Sequence, residues 1–153
     1  MKRLDGKSVD ILTIVHKLVG AVWLVCAIAV LVLVVPLAGG ATRDATFWSR
    51  VVLIQRVAAY CSVATLLVGF VYGFWTNWGF FRYPRVIGKW VLFLAATALN
   101  GPTIVYGRSH AATPIIALTV AEIVVLAASM GLGVYLERAR HAGKLAGPVL
   151  STQ

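Results

Sequence analysis

The sequence has little charge. Only 12% of its residues are Asp, Glu, Lys or Arg, 5 of them acidic, while 60% are hydrophobic. A soluble domain carries about a quarter charged residues. The deficit therefore argues against an ordinary soluble protein and predicts one integral membrane domain over residues 1–153. Cysteine is scarce as well. Cys26 and Cys61 lie inside apolar segments and no C-x-x-C is present, which sets aside dithiol redox chemistry and Cys-based zinc sites. A buried free cysteine behaves as a small hydrophobe. No phosphate-binding loop, catalytic triad, H-E-x-x-H or paired-carboxylate motif occurs. The usual soluble hydrolase chemistries are thereby unsupported, and no catalytic residue or metal ligand set is assigned. Repeats, low-complexity tracts and RNA-binding or zinc-finger patterns are missing too. The net charge of +9 would suggest nucleic acid in a soluble protein. Here the basic residues flank apolar segments, so membrane topology accounts for them and no nucleic-acid partner is expected.

What the chain does have is long apolar runs. About 20 residues cross the hydrocarbon of a bilayer, and four stretches qualify: 11–35, 48–74, 86–106 and 114–136. A signal peptide is the rival reading of the first, because Leu37-Ala38-Gly39-Gly40-Ala41 offers small residues. The run is longer than the roughly 7–15 residues of a signal h-region. Pro36 and Gly39-Gly40 end the first span. Gly101-Pro102 is expected to interrupt the third. Trp75, Trp78, Phe80, Phe81 and Tyr83 cluster between the second and third spans and suit the headgroup layer. The tail from Glu137 is basic and then Gly/Pro-containing.

Short loops make consecutive helices antiparallel neighbours. The fold class is thus all-α, an integral membrane four-helix antiparallel bundle. Lys and Arg counts orient it. One side holds Lys2, Arg3, Lys7, Lys17, Arg82, Arg85, Lys89, Arg138, Arg140 and Lys144; the other holds Arg43, Arg50, Arg56 and Arg108. The excess places both termini in the cytoplasm.

Each span carries one stripe of small and polar residues at helical spacing. The stripes are His16, Gly20, Trp23 and Ala27; Gln55, Ser62 and Gly69; Lys89, Phe93, Ala96, Asn100 and Thr103; and Thr119, Glu122, Ser129 and Gly133. Gly69 and Gly73 form a G-x-x-x-G, expected to pack helices within the bundle, with homodimerisation as the alternative. Two polar depths emerge. Arg56, Asn100 and Glu122 all come out roughly 9–12 Å below the outer boundary at 1.5 Å per residue. The expectation there is an Arg56–Glu122 ion pair, with Asn100 and Gln55 adding hydrogen bonds, because a lone intramembrane glutamate needs a partner or a water cavity. Its alternatives are a structural pair and an Arg56 that snorkels to the headgroups. In the cytoplasmic half, His16, Lys17 and Lys89 come to similar depths, with Met130 level with His16. Lys17 and Lys89 read as snorkelling anchors, and Lys89 also as a site for an anionic headgroup or propionate. A haem b could be held by His16 with Met130, or by His16 alone. The alternative is a histidine hydrogen-bonded to a neighbouring helix. His110 falls in the outer loop and His141 in the tail, so two stacked haems are not expected.

The run His16-Lys17-Leu18-Val19-Gly20-Ala21-Val22-Trp23 resembles the opening helix of copper-resistance-D-like membrane proteins and is similar to that of bacterial membrane protoporphyrinogen oxidases. The resemblance implies a small helical bundle and, for the oxidases, a haem or porphyrin site. It carries over His16 as a ligand and, more weakly, Lys89; the oxidases' further polar residues have no match here. Asn77-Trp78-Gly79-Phe80-Phe81 followed by Lys89-Trp90 resembles a loop of small four-helix bacterial membrane proteins, from the second span through the third. That likeness brings no assigned activity. It implies the bacterial cytoplasmic (inner) membrane as the location. Three functions compete: a haem- or porphyrin-binding redox protein, a small oligomeric transporter using the Arg56–Glu122–Asn100 cluster, and a non-enzymatic subunit of a larger membrane complex or lipid-binding scaffold.

Overall fold

The computed structural model describes residues 6–75 and 84–146. Helix α1 spans Gly6–Val34, α2 Ala45–Trp75, α3 Pro84–Arg108 and α4 Ala112–Ala146. All four are long and apolar enough to cross a membrane, and the chain is a multi-pass membrane protein. The aromatic and basic turn at 76–83 and the end of the tail at 147–153 lie outside the described residues.

Local chemistry explains the boundaries. Val35–Gly39 forms a 3-10 turn around Pro36. Gly40 closes it with φ 88° and an N–H to the Leu37 carbonyl at 3.1 Å, a left-handed conformation that glycine adopts without steric cost. Asp44 caps α2: its Oδ1 accepts the Phe47 N–H at 2.9 Å, satisfying one orphan donor of the first turn. The end of α3 turns back through His110, whose φ is 58°, and the Ala111 N–H reaches the Tyr106 carbonyl at 3.1 Å.

The expected break at Gly101-Pro102 does not occur. Helix α3 runs straight through with Pro102 inside it. Proline removes one backbone donor, which costs the carbonyl of Ala98 its helical partner. Both Gly101 and Pro102 are exposed on the outside of the bundle.

The helices form a four-cornered bundle. Each of α1·α2, α2·α3, α3·α4 and α1·α4 packs side by side, and α1/α3 and α2/α4 lie across the diagonals. The interior is layered. Near the end that carries the loops 40–44 and 109–111, an apolar layer joins Val30, Val34, Leu37, Trp48, Val51 and Ile115. Further in, a second apolar layer joins Trp23, Ala58, Ala96 and Leu126. The outer faces bear large exposed hydrophobics on every helix, among them Val25, Tyr60, Val91 and Val124, as lipid contact requires.

Candidate functional site: a polar layer between two apolar ones

Between the two apolar layers each helix brings polar or small residues inward. On α2, Gln55 lies between Val51 and Ala58. On α4, Thr119 and Glu122 lie between Ile115 and Leu126. Asn100 and Thr103 come from α3 and Ala27 from α1. These residues, with Val30 and Ala58, line one small cavity. Gln55 and Glu122 are each 3% exposed and Thr119 is 1% exposed. Counting from the helix ends at Arg108 and Ala112, residues 100 and 122 sit about 12–15 Å deep. That is close to the middle of a roughly 30 Å hydrocarbon core.

The Glu122 carboxyl is held by donors. The indole Nε1 of Trp23 donates to its Oε1 at 2.6 Å, and Asn100 of α3 lines the same cavity. Trp23 is itself completely buried, fixed edge-on against Phe93 of α3 with ring centroids 5.3 Å apart. Asn100 Nδ2 also donates to the Ala96 carbonyl at 3.4 Å. By contrast, neither amide atom of Gln55 nor the Thr119 hydroxyl has a hydrogen-bond partner in the protein. Gln55 is pressed against α3 where Gly107 lets the backbone come close. A Cβ at 107 would stand 2.5 Å from Gln55 Oε1 and 3.0 Å from Val52 Cγ2.

The expected Arg56–Glu122 ion pair is not formed. Arg56 is exposed, on the side of α2 that also shows Leu53, Val57 and Tyr60. Consecutive residues diverge by about 100° around a helix, so with Gln55 inward Arg56 must point elsewhere. Among the described residues, the buried polar set of the bundle includes no Lys or Arg.

The second polar depth is looser. His16 on α1 and Lys89 on α3 are both half-buried. Met130 is 40% exposed, at the margin of α4's inward stripe. Gly20 leaves open space beside α1, with nothing within 4 Å of an added Cβ. Gly69 packs inside the bundle: its Cβ position lies 3.1 Å from Cη2 of Trp90 on α3. The surroundings of Gly73 lie outside the described residues. No group of three or more His, Cys, Asp or Glu able to hold a metal occurs among the described residues.

The chain matches no family model, no curated protein and no solved structure. Any functional reading therefore rests on the geometry.

Proposed function

We propose that the protein is a small proton-coupled permease whose working group is the carboxyl of Glu122. One observation supports this most: an ionisable side chain 3% exposed, near the bilayer midplane, lined by polar groups and, among the described residues, without a basic partner. Ionisable groups at that depth are costly and mark ion or proton pathways. A carboxyl that no fixed cation neutralises takes its counter-charge from a mobile one, and the proton is the simplest. Apolar residues of α1, α2 and α4 lie on one side of the site and apolar residues of all four helices on the other. On this reading both termini face the cytoplasm of a bacterial cell, following the Lys and Arg bias, and the protein works as an oligomer or within a larger complex. The test is proton flux in proteoliposomes under an imposed pH gradient. Wild-type protein should dissipate the gradient, and Glu122→Gln should slow it at least about tenfold. Flux undiminished in the variant refutes the reading.

A second reading, haem b on His16, is favoured by the open space at Gly20, one turn from His16 along α1. It would make Lys89 the partner of a propionate and Met130 an optional second ligand. An absorption spectrum of the purified protein, repeated for His16→Ala, decides it. A colourless preparation after haem supplementation refutes it.

A further inference from the structure

We infer that the cavity lined by Gln55, Thr119 and Glu122 binds one dehydrated alkali-metal cation, in exchange for the Glu122 proton. This rests on the reading of Glu122 as the coupling carboxyl and names what that carboxyl couples to.

Three features define the ligand. The first is size. The space open to the centre of a water-sized sphere is about 10 Å³, room for one water or one bare ion and for no organic solute. The second is donor chemistry. Glu122 offers a carboxylate oxygen beyond the one that Trp23 engages, Thr119 an unpartnered hydroxyl, and Gln55 an unpartnered amide. A half-turn of that amide exchanges its oxygen and nitrogen without changing volume. Oxygen-only sets suit hard cations and not the softer transition metals. The third is charge. The cavity holds one carboxylate, so one positive charge leaves it neutral, whereas a divalent ion would leave an uncompensated charge in a low-dielectric interior.

The groups facing Glu122 cannot supply that charge. They are Trp23 from α1, Gln55 from α2, and Asn100 and Thr103 from α3. His16 lies about 10 Å from Trp23 along α1, and Lys89 about 16 Å from Asn100 along α3. Arg56 is exposed. Exchange then balances simply. The protonated carboxyl releases one proton as one cation enters, the carboxylate and cation form the bound pair, and the site carries no net charge before or after.

Trp23 has a defined part in this step. Its indole N–H stays on the carboxyl in both states and holds it in place while the proton and the cation replace one another.

The experiment uses full-length protein in two formats. In detergent, thermal unfolding is followed in sodium, lithium, potassium and choline chloride at equal ionic strength. Saturating sodium should raise the wild-type midpoint by on the order of 5 °C over choline. Gln55→Leu, Thr119→Val and Glu122→Gln should each abolish the rise, and Thr119→Ser, which keeps the hydroxyl, should retain it. In proteoliposomes loaded with acid, external sodium should speed proton efflux at least about tenfold over choline in wild type only. If no cation shifts the midpoint while Glu122-dependent proton flux persists, the cavity holds only water. The inference then falls and the permease reading stands. If Glu122-dependent flux is also missing, both fall. A sodium shift that survives in Gln55→Leu and Glu122→Gln places the ion elsewhere and overturns the inference.

Discussion

The hydrogen bond from Trp23 to Glu122 is a testable energetic claim. Trp23→Phe removes the indole donor but keeps a ring to pack against Phe93. Glu122→Leu removes the acceptor and puts an apolar side chain of similar reach in its place. Each single change leaves a buried polar group short of a partner: the carboxyl loses its 2.6 Å donor in the first, and the indole N–H is stranded in the second. A hydrogen bond to a charged group contributes about 1.5–3 kcal/mol, and a neutral one about 0.5–1.5 kcal/mol. Trp23→Phe also leaves a gap in the inner apolar layer, which costs more on its own, so the single variants cannot isolate the bond. A double-mutant cycle can, because the loss of volume is common to both arms. Replacing both partners by apolar groups leaves nothing unpaired. The double variant should therefore be more stable than the two single effects added together, with a coupling of about 1–3 kcal/mol. Reversible unfolding in mixed micelles with rising SDS would measure it. Coupling below about 0.5 kcal/mol, the error of additivity for independent sites, would refute the view that Trp23 holds the carboxyl.

Two further substitutions test the surroundings of the site. Gly107→Ala gains up to about 1 kcal/mol of helix propensity and sets its Cβ 2.5 Å from Gln55 Oε1, the far end of a flexible side chain that can swing aside, so the clash should cost less than the about 1–3 kcal/mol of overpacking against a rigid core. The net change in the same unfolding assay should stay within about 1 kcal/mol of wild type; a larger loss that persists in a Gln55→Ala background would mean that Val52, 3.0 Å from the same Cβ, is what resists the methyl. Arg56→Leu should leave Glu122-dependent proton flux within about twofold of wild type, since Arg56 is exposed; a collapse like that of Glu122→Gln would restore the ion pair.

Much of this arrangement was legible in the sequence. The four spans follow from apolar length, and the inward stripes follow from helical spacing: Trp23, Ala27, Gln55, Ser62, Ala96, Asn100, Thr103, Thr119, Glu122 and Ser129 are all buried. Depth along the axis alone sets Arg56 level with Glu122; the angle around the helix does not. The stripe that joins Gln55, Ser62 and Gly69 already places Arg56 about 100° off the interior, so the sequence held the means to reject the pair. Trp23 as the partner of Glu122 was harder to see. An indole inside an apolar helix reads as packing, and only the α1/α4 contact shows what its N–H meets. The Gly101-Pro102 break failed for a related reason. A proline on the outward face removes one hydrogen bond, and bundle packing carries the helix across it. The absence of partners for Gln55 had no signal in the sequence at all, since it depends on what three other helices fail to provide.

That absence separates a structural role from a functional one. A buried amide without partners costs about 1–3 kcal/mol for the group left unsatisfied, and leucine at the same position would fill similar space with none of that penalty. If the polar layer served only to hold the bundle together, Gln55→Leu should destabilise it, because a supporting group would be lost. If the layer is a binding site, the substitution should do the reverse. With no cation other than choline present, Gln55→Leu should be about 1–2 kcal/mol more stable than wild type, and the advantage should shrink or reverse in saturating sodium, which binds only the wild type. A polar residue that weakens the ion-free protein and strengthens the ion-bound one is placed there for the ion. Unfolding midpoints for the two proteins in the two salts are enough to see the crossover, and curves that keep the same order in both salts would remove the reason for calling this layer a site.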